Sequence, residues 1–351
     1  MKTARKRSGR GETARWTDLQ EEDLLDLPLK SLKVRLEGTW LADCLRDVNT
    51  ELKARGIALK VHGWLSDEWF SPTETPGVAF PFYLAHPRLR RLERKMMLEV
   101  EGGTRRECMQ LLRHEAGHVV EYAFALHKKK RFQRLFGRAN DRYPDRYRAD
   151  PNSKAHVQHL RRWYAQCHPD EDFAETFAVW LTPRSGWKKR YAQWPKALEK
   201  LEYIDELMAE LAGEKPLSQK RFEVDALPKL KGTLREHYEA KRKRYAVDAP
   251  HVFDRELRKM FPEDVRKPNA AFASSIIRKN RAKIIRAVAK RTGEFPLALD
   301  AAIDDMITRS KALKLRSPRG ETTVRAEITA MLSSKAIHTH YSTTRRHWFA
   351  V

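Results

Sequence analysis

Apolar residues recur every three or four positions along most of this chain of 351 residues, a spacing that places them on one face of an α-helix. Glycine and proline mark where some of these patterns stop: Gly56 ends the first, and Pro169 and Pro183 bound the third. The patterns predict helices over about residues 41–52, 105–126, 169–181, 198–211, 274–291, 297–313 and 322–337. The chain is therefore expected to be mostly helical.

Strand-like alternation of apolar and polar residues is confined to a short region before the second helix. Residues 57–62 predict one strand, with residues 64–70 as its partner across a turn. Residues 77–84 predict another, and Pro81 favours an edge position because proline cannot donate a ladder hydrogen bond. An extended peptide could add to such an edge, although an edge strand without that role is the simpler interpretation. The predicted fold class is α+β, mostly helical, with a small sheet.

Two histidines and a glutamate stand together on the second predicted helix. His114 and His118 are one turn apart and share a face, and Glu115 flanks them. His-Glu-x-x-His on a helix supplies two zinc ligands and a general base from one rigid element. Thr104 and Glu107 form a capping box at its start. Alone, the pentapeptide also fits a buried helix whose histidines are satisfied by hydrogen bonds.

The third predicted helix carries acidic residues on an otherwise apolar element. Glu171 and Glu175 lie one turn apart on the same side, where like charges cost a few tenths of a kcal/mol unless a cation lies opposite. A zinc ion would remove that cost. Asp172 points about 100° away from Glu171 and is a weaker candidate. His168 is a further candidate ligand, although its place before Pro169 favours a neighbour of the helix N-terminus.

Together these motifs resemble a known family. His-Glu-Ala-Gly-His, followed by Trp-Tyr-Ala-Gln and His-Pro-Asp-Glu-Asp-Phe-Ala-Glu-Thr-Phe-Ala-Val-Trp-Leu, is similar to a bacterial family of zinc-binding metallopeptidases of the gluzincin type. The second motif is also similar to the catalytic domain of anthrax lethal factor, in which a tyrosine stands seven residues before the liganding glutamate and a second glutamate follows by four. Tyr164, Glu171 and Glu175 match that spacing. The resemblance covers roughly residues 57–211.

The resemblance implies a zincin-like metallopeptidase domain. The order of elements in that fold is an N-terminal helix, a small sheet and then the helix that carries the histidines. The implied ligands of one Zn²⁺ per chain are His114, His118 and Glu171, with the fourth position left to water. Zinc would lower the pKa of that water, and Glu115 would accept its proton as it attacks a peptide carbonyl. Tyr164 would donate a hydrogen bond to the oxyanion. Glu175 would hold a ligand histidine from behind, and the sequence leaves Glu171 and Glu175 open as the direct ligand.

Charge adds a second feature. The formal net charge is +23, and residues 216–351 contribute 15 of that surplus. Such a basic region favours polyanions, nucleic acid first, although it can also serve solubility alone. Residues 1–15 hold six basic residues and one acid without apolar periodicity, which predicts a disordered arm.

The location predicted is cytoplasmic. The sequence has no run of eighteen apolar residues, so no membrane span is predicted. Its charged start lacks the apolar core of a secretory signal. The three cysteines are too far apart for a Cys-x-x-Cys motif, which fits a reducing compartment.

Three regions are predicted: a disordered basic arm over 1–15, a zincin-like metallopeptidase domain over 16–213 and a basic helical C-terminal domain over 220–351. The function predicted is a zinc-dependent peptidase acting on a peptide or protein substrate. The alternative is a catalytically silent, metal-stabilised binding protein that uses its basic surface for nucleic acid or another polyanion. Substitution of Glu115 by glutamine separates the two, because only a peptidase would lose a reaction.

Overall fold

The structure is a computed structural model that describes residues 15–139, 141–144, 147, 149–150, 152–217, 220–245, 253–261 and 270–342. Apart from Arg15, the predicted N-terminal arm lies outside these residues. The helices are α1 Glu21–Leu25, α2 Trp40–Ala54, α3 Pro87–Met97, α4 Arg105–Ala123, α5 Lys130–Leu135, α6 Pro169–Leu181, α7 Trp187–Arg190, α8 Pro195–Glu210, α9 Leu234–Tyr245, α10 Asp254–Met260, α11 Ala273–Thr292, α12 Pro296–Ala312 and α13 Glu321–Ser342. The strands are β1 His62–Ser66, β2 Gly77–Pro81, β3 Ala271–Phe272 and β4 Arg316–Ser317. The fold is α+β and mostly helical, as predicted.

The small sheet differs from its prediction. β1 and β2 pair in parallel, with His62 opposite Gly77 and Ser66 opposite Pro81. Residues 57–61 are not a strand, because the side chain of Asn49 on α2 binds both the N–H and the C=O of Val61, at 2.8 and 2.9 Å. The prediction of a strand over 57–62 paired with 64–70 was therefore wrong. The alternation of apolar and polar residues is typical of a strand, but here hydrogen bonds from the Asn49 side chain hold the segment.

α4 packs directly against α6. At Gly117 on α4, a Cβ atom would lie 2.8 Å from the Cα of Ala174 on α6, closer than real Cβ atoms approach backbone. The two helices therefore touch backbone to backbone. Apolar side chains fill the space above and below this contact, among them Leu112, Val120, Phe173 and Phe177.

Two large apolar cores organise the described residues, beside a small third cluster of Trp64, Ala79 and Ala226. The first extends beyond the predicted domain end, since Leu227, Leu234, Tyr238 and Leu297 belong to it. The second is formed by the C-terminal helices α10 to α13 and includes Phe261, Ile277, Ile284, Met306, Val324 and Ile328. Helices α11, α12 and α13 lie where the sequence predicted helices. The boundaries predicted at 213–220 stay a prediction. Among the residues described, the helices are too short or too polar to span a bilayer.

Candidate metal centre

α4 begins where its sequence signal places it. Thr104 is extended, and its Oγ1 accepts a hydrogen bond from the N–H of Glu107 at 3.2 Å. The helix ends at Ala123, three residues before the predicted end, and Ala125 then takes a left-handed conformation. His114, Glu115 and His118 all face the protein interior, with no more than 6% of each residue exposed.

α6 is capped by an imidazole. His168 Nδ1 accepts a hydrogen bond from the N–H of Asp170 at 3.2 Å, and Pro169 occupies the first helical position, where no N–H is needed. The other ring nitrogen of His168 lies 2.8 Å from the carbonyl of Asp141. Both nitrogens of His168 therefore have backbone partners. His168 is a neighbour of the helix N-terminus, the more favoured of its two expected roles.

Three ligand atoms converge where α4 meets α6. Glu171 Oε2 lies 3.1 Å from His114 Nε2 and 3.4 Å from His118 Nε2, and the two Nε2 atoms are 3.2 Å apart. Zinc bonds of about 2.0–2.1 Å in tetrahedral geometry place ligand atoms about 3.3 Å from one another. Among the described residues, this is the group of metal-ligating side chains whose atoms lie close enough to share an ion.

Among the described residues, two buried polar atoms of this triad have no hydrogen-bond partner, Glu171 Oε2 and His118 Nδ1. Glu171 Oε2 is buried and has no aligned hydrogen-bond donor, and two imidazole nitrogens face each other beside it. Burial would raise the pKa of Glu171, but His118 and His114 outweigh burial and hold that pKa far below its usual range. Two imidazole nitrogens and one carboxylate oxygen are donors that suit zinc.

Glu175 lies behind His114. Its Oε1 is 2.9 Å from His114 Nδ1, and its Oε2 accepts hydrogen bonds from the backbone N–H groups of Leu160, at 2.8 Å, and His159, at 3.3 Å. A proton on Nδ1 of His114 leaves the lone pair of Nε2 pointing at the triad. The geometry therefore favours Glu171 as the direct ligand and Glu175 as the group that orients His114.

Glu115 faces the same space from the neighbouring position on α4. Its Oε2 accepts a hydrogen bond from Ser71 Oγ at 2.8 Å, so Oε1 remains for another proton donor. Ser71 was not among the residues singled out from the sequence. It stands in the loop between β1 and β2, and a lone serine there carries no recognisable signal.

Two tyrosines flank the site. The ring of Tyr164 lies 5.8 Å from that of His114, centroid to centroid, in the short 3₁₀ helix Arg161–Gln166. Tyr143 was missed from the sequence: its hydroxyl donates to Glu171 Oε1 at 3.1 Å, and its ring stacks on His168 at 3.7 Å. Burial and the nearby Glu171 raise the pKa of Tyr143, which keeps it a neutral donor. Its loop offered no periodicity from which to find it.

A cleft of about 300 Å³ opens onto the triad, and Glu115 and Tyr164 line it. Part of its wall is apolar, and charged groups stand elsewhere along it. The apolar lining includes Trp69, Leu111, Leu160 and Phe295, and the charged lining includes Glu99, Glu101, Arg106 and Arg161. The volume suits a few residues of an extended peptide or a small ligand.

Residues 85–193 match a family model described as "Putative zinc-binding metallo-peptidase". The matched segment contains α4 and α6 and therefore all three atoms of the triad. Comparisons with curated proteins and with solved structures gave no match. The resemblance expected from the two motifs is thus supported over 109 residues, and nothing in the match extends to the C-terminal helices.

Proposed function

We propose that this protein is a zinc-dependent peptidase. The observation that carries the proposal is the convergence of His114 Nε2, His118 Nε2 and Glu171 Oε2, all within 3.4 Å of one another, at a cleft that Glu115 also lines. The family match over residues 85–193 supports the same function. A merely structural zinc site would be closed by four protein ligands, whereas among the described residues this group offers three and faces a cavity.

Each residue has a defined task in this proposal. Zinc, when bound, would polarise a peptide carbonyl and lower the pKa of water to about 7. Glu115 accepts the proton of the attacking water at Oε1, while Ser71 holds Oε2. Tyr164 donates a hydrogen bond to the carbonyl oxygen as negative charge develops there. Glu175 keeps the His114 ring in one tautomer throughout.

Metal content and hydrolysis, measured together, test the proposal. We expect about one zinc per chain by elemental analysis, and its loss in His118→Ala and Glu171→Ala. Glu115→Gln keeps the side-chain shape and touches no ligand atom, so zinc content should be unchanged. Hydrolysis of a mixed library of quenched fluorescent peptides should fall roughly 10²- to 10⁴-fold in Glu115→Gln, because the general base is lost.

The pattern of outcomes separates the alternatives. Zinc that binds in wild type, with no hydrolysis of any peptide in the library, would favour the catalytically silent, metal-stabilised binding protein. Failure of wild type to take up zinc during reconstitution would return both histidines to a packing role. A hydrolysis rate in Glu115→Gln equal to that of wild type would contradict the proposed role of Glu115.

A further inference from the structure

The backbone just before Tyr164 is strained. Arg162 has φ 64° and ψ 22°, and Trp163 has φ 53° and ψ 45°, so two consecutive residues other than glycine adopt the left-handed conformation. The Cβ atom disfavours this conformation, and such a turn persists only when surrounding contacts hold it. Tyr164 is the next residue, so whatever holds the turn also sets the position of that hydroxyl.

The Tyr147 hydroxyl donates to the Arg162 carbonyl at 2.9 Å, and further contacts that hold the turn come from a distant part of the chain. Arg162 Nε donates to the carbonyl of Gly293 at 2.9 Å, and Nη2 donates to Glu294 Oε1 at 2.8 Å. The guanidinium carbon lies 3.8 Å from the centre of the Phe295 ring. Arg162 is 6% exposed and Glu294 9% exposed, so the ion pair is shielded from solvent and its geometry is well defined.

Residues 293–295 form the connection between α11 and α12. Gly293 ends α11 with φ 74°, and Phe295 directly precedes the first residue of α12. This corner of the C-terminal helices also faces the cleft, since Gly293 and Phe295 line it together with Arg162 and Tyr164. The corner lies a hundred residues beyond the end of the segment that matches the family model.

We infer that Arg162 is a positioning residue and that the corner formed by residues 293–295 completes the active site. Through its bonds to Gly293 and Glu294, Arg162 fixes the turn that presents Tyr164 to the substrate carbonyl. Phe295 supplies part of the apolar wall against which a substrate side chain packs. The inference rests on the proposed peptidase function and assigns the C-terminal helices a direct part in it.

A double-mutant cycle tests whether Arg162 acts through Tyr164. Glu294→Gln removes the charge of the ion pair without changing side-chain size, and it should lower kcat roughly tenfold, with zinc content unchanged. Tyr164→Phe alone should lower kcat roughly 10²-fold. In the Tyr164→Phe background, Glu294→Gln should have less than about a twofold further effect, because the group it positions is gone.

An ion pair between α10 and α12, more exposed than that of Arg162 with Glu294, provides the control. Arg309 binds Asp254 through two nitrogens, and neither residue lines the cleft. Asp254→Asn should therefore leave kcat and KM unchanged. Arg162→Lys, which keeps the charge but loses the two-pronged geometry, should behave as Glu294→Gln does.

Amide hydrogen exchange of the zinc-loaded protein gives a readout that needs no substrate. Glu294→Gln should speed exchange in peptides that cover residues 161–166 and leave α4 protected, whereas Asp254→Asn should not. Multiplicative losses in the cycle, or equal exchange in Glu294→Gln and wild type, would overturn the inference. Faster exchange at 161–166 in Glu294→Gln, together with no hydrolysis in wild type, would support the positioning role of Arg162 and reject the peptidase function.

Discussion

Glu171 and Glu175 are the same residue type, one helical turn apart, yet their carboxylates meet different surroundings. Glu175 is saturated by one imidazole nitrogen and two backbone N–H groups. Glu171 receives a tyrosine hydroxyl at one oxygen and leaves the other facing two imidazoles. At the scale of single residues, the partners of each oxygen support the proposal that Glu171 binds the metal and Glu175 orients His114.

This difference predicts unequal zinc affinities for two matched substitutions. Glu175→Gln should lower the affinity for zinc roughly 10- to 100-fold, the usual cost of losing the hydrogen-bond partner of a ligand histidine. Glu171→Gln should weaken it further, because a charged ligand atom is removed. Competition with a chromogenic chelator at constant pH measures both. A larger loss in Glu175→Gln would show that the two glutamates exchange roles.

The pairing of α4 with α6 is the structural element on which the triad depends. Both helices were predicted from periodicity and from capping residues, and α6 ends where it was expected to end. What the sequence could not show was their distance from each other, which Gly117 and Ala174 set through backbone contact. A glycine inside a helix usually lowers the stability of that helix, so the sequence alone does not reveal that Gly117 allows close packing.

A methyl group at Gly117 should therefore damage both stability and the metal site. Gly117→Ala gains about 1 kcal/mol of helix propensity but forces α4 and α6 apart, an overpacking cost of about 1–3 kcal/mol. We expect a lower midpoint of thermal unfolding and weaker zinc binding, measured by calorimetry and chelator competition. Gly320→Ala is the control, because a Cβ there meets open space. Unchanged zinc affinity in Gly117→Ala would show that the helix pair tolerates separation.

Residues of the candidate site differ in how far sequence patterns could predict them. His114, Glu115, His118, Glu171 and Glu175 lie on helices, so their spacing predicted which of them share a face. Ser71 and Tyr143 lie in loops, where neighbours in space are not neighbours in periodicity. The strand prediction over 57–62 failed for a related reason, since Asn49 replaces a strand partner. Side-chain bridges between distant segments leave no local trace.

At the scale of the whole molecule, part of the basic side chains of the C-terminal helices is engaged in ion pairs, which leave the net charge of +23 unchanged. Several basic side chains of the C-terminal helices have acidic partners: Lys279 with Glu321, Arg281 with Asp300 and Asp304, Arg309 with Asp254, Arg319 with Glu327 and Lys335 with Glu256. These pairs lie within or between the helices of the second core. Binding of nucleic acid or another polyanion stays a prediction that the geometry of this region neither requires nor opposes.

Acid should destabilise the whole fold through a histidine that is not among the candidate metal ligands. His237, on α9, packs edge-on against Phe82 with 5.3 Å between ring centroids. Burial, with Lys241 and Arg244 nearby, lowers its pKa to about 3, against a usual value of 6.5. The folded protein keeps His237 neutral while the unfolded chain binds a proton, so stability falls as pH decreases from about 6.5 toward about 3.

His237→Gln isolates this contribution, because glutamine does not titrate. The midpoint of urea unfolding should fall less between pH 7 and pH 5 in His237→Gln than in wild type, whatever the absolute stability of each. The difference between the two pH dependences removes the effect of the carboxylates, which titrate in both proteins. Parallel curves for the two proteins would show that His237 does not carry the acid sensitivity.

The corner formed by residues 293–295 also has a consequence in time. α6 ends at Leu181, and the corner follows more than one hundred residues later in the chain. At synthesis rates of about 5–20 residues per second, the corner leaves the ribosome roughly 5–20 s after both metal-binding helices. A growing chain therefore carries the three candidate zinc ligands for some seconds before Gly293 and Phe295 can join the lining of the cleft.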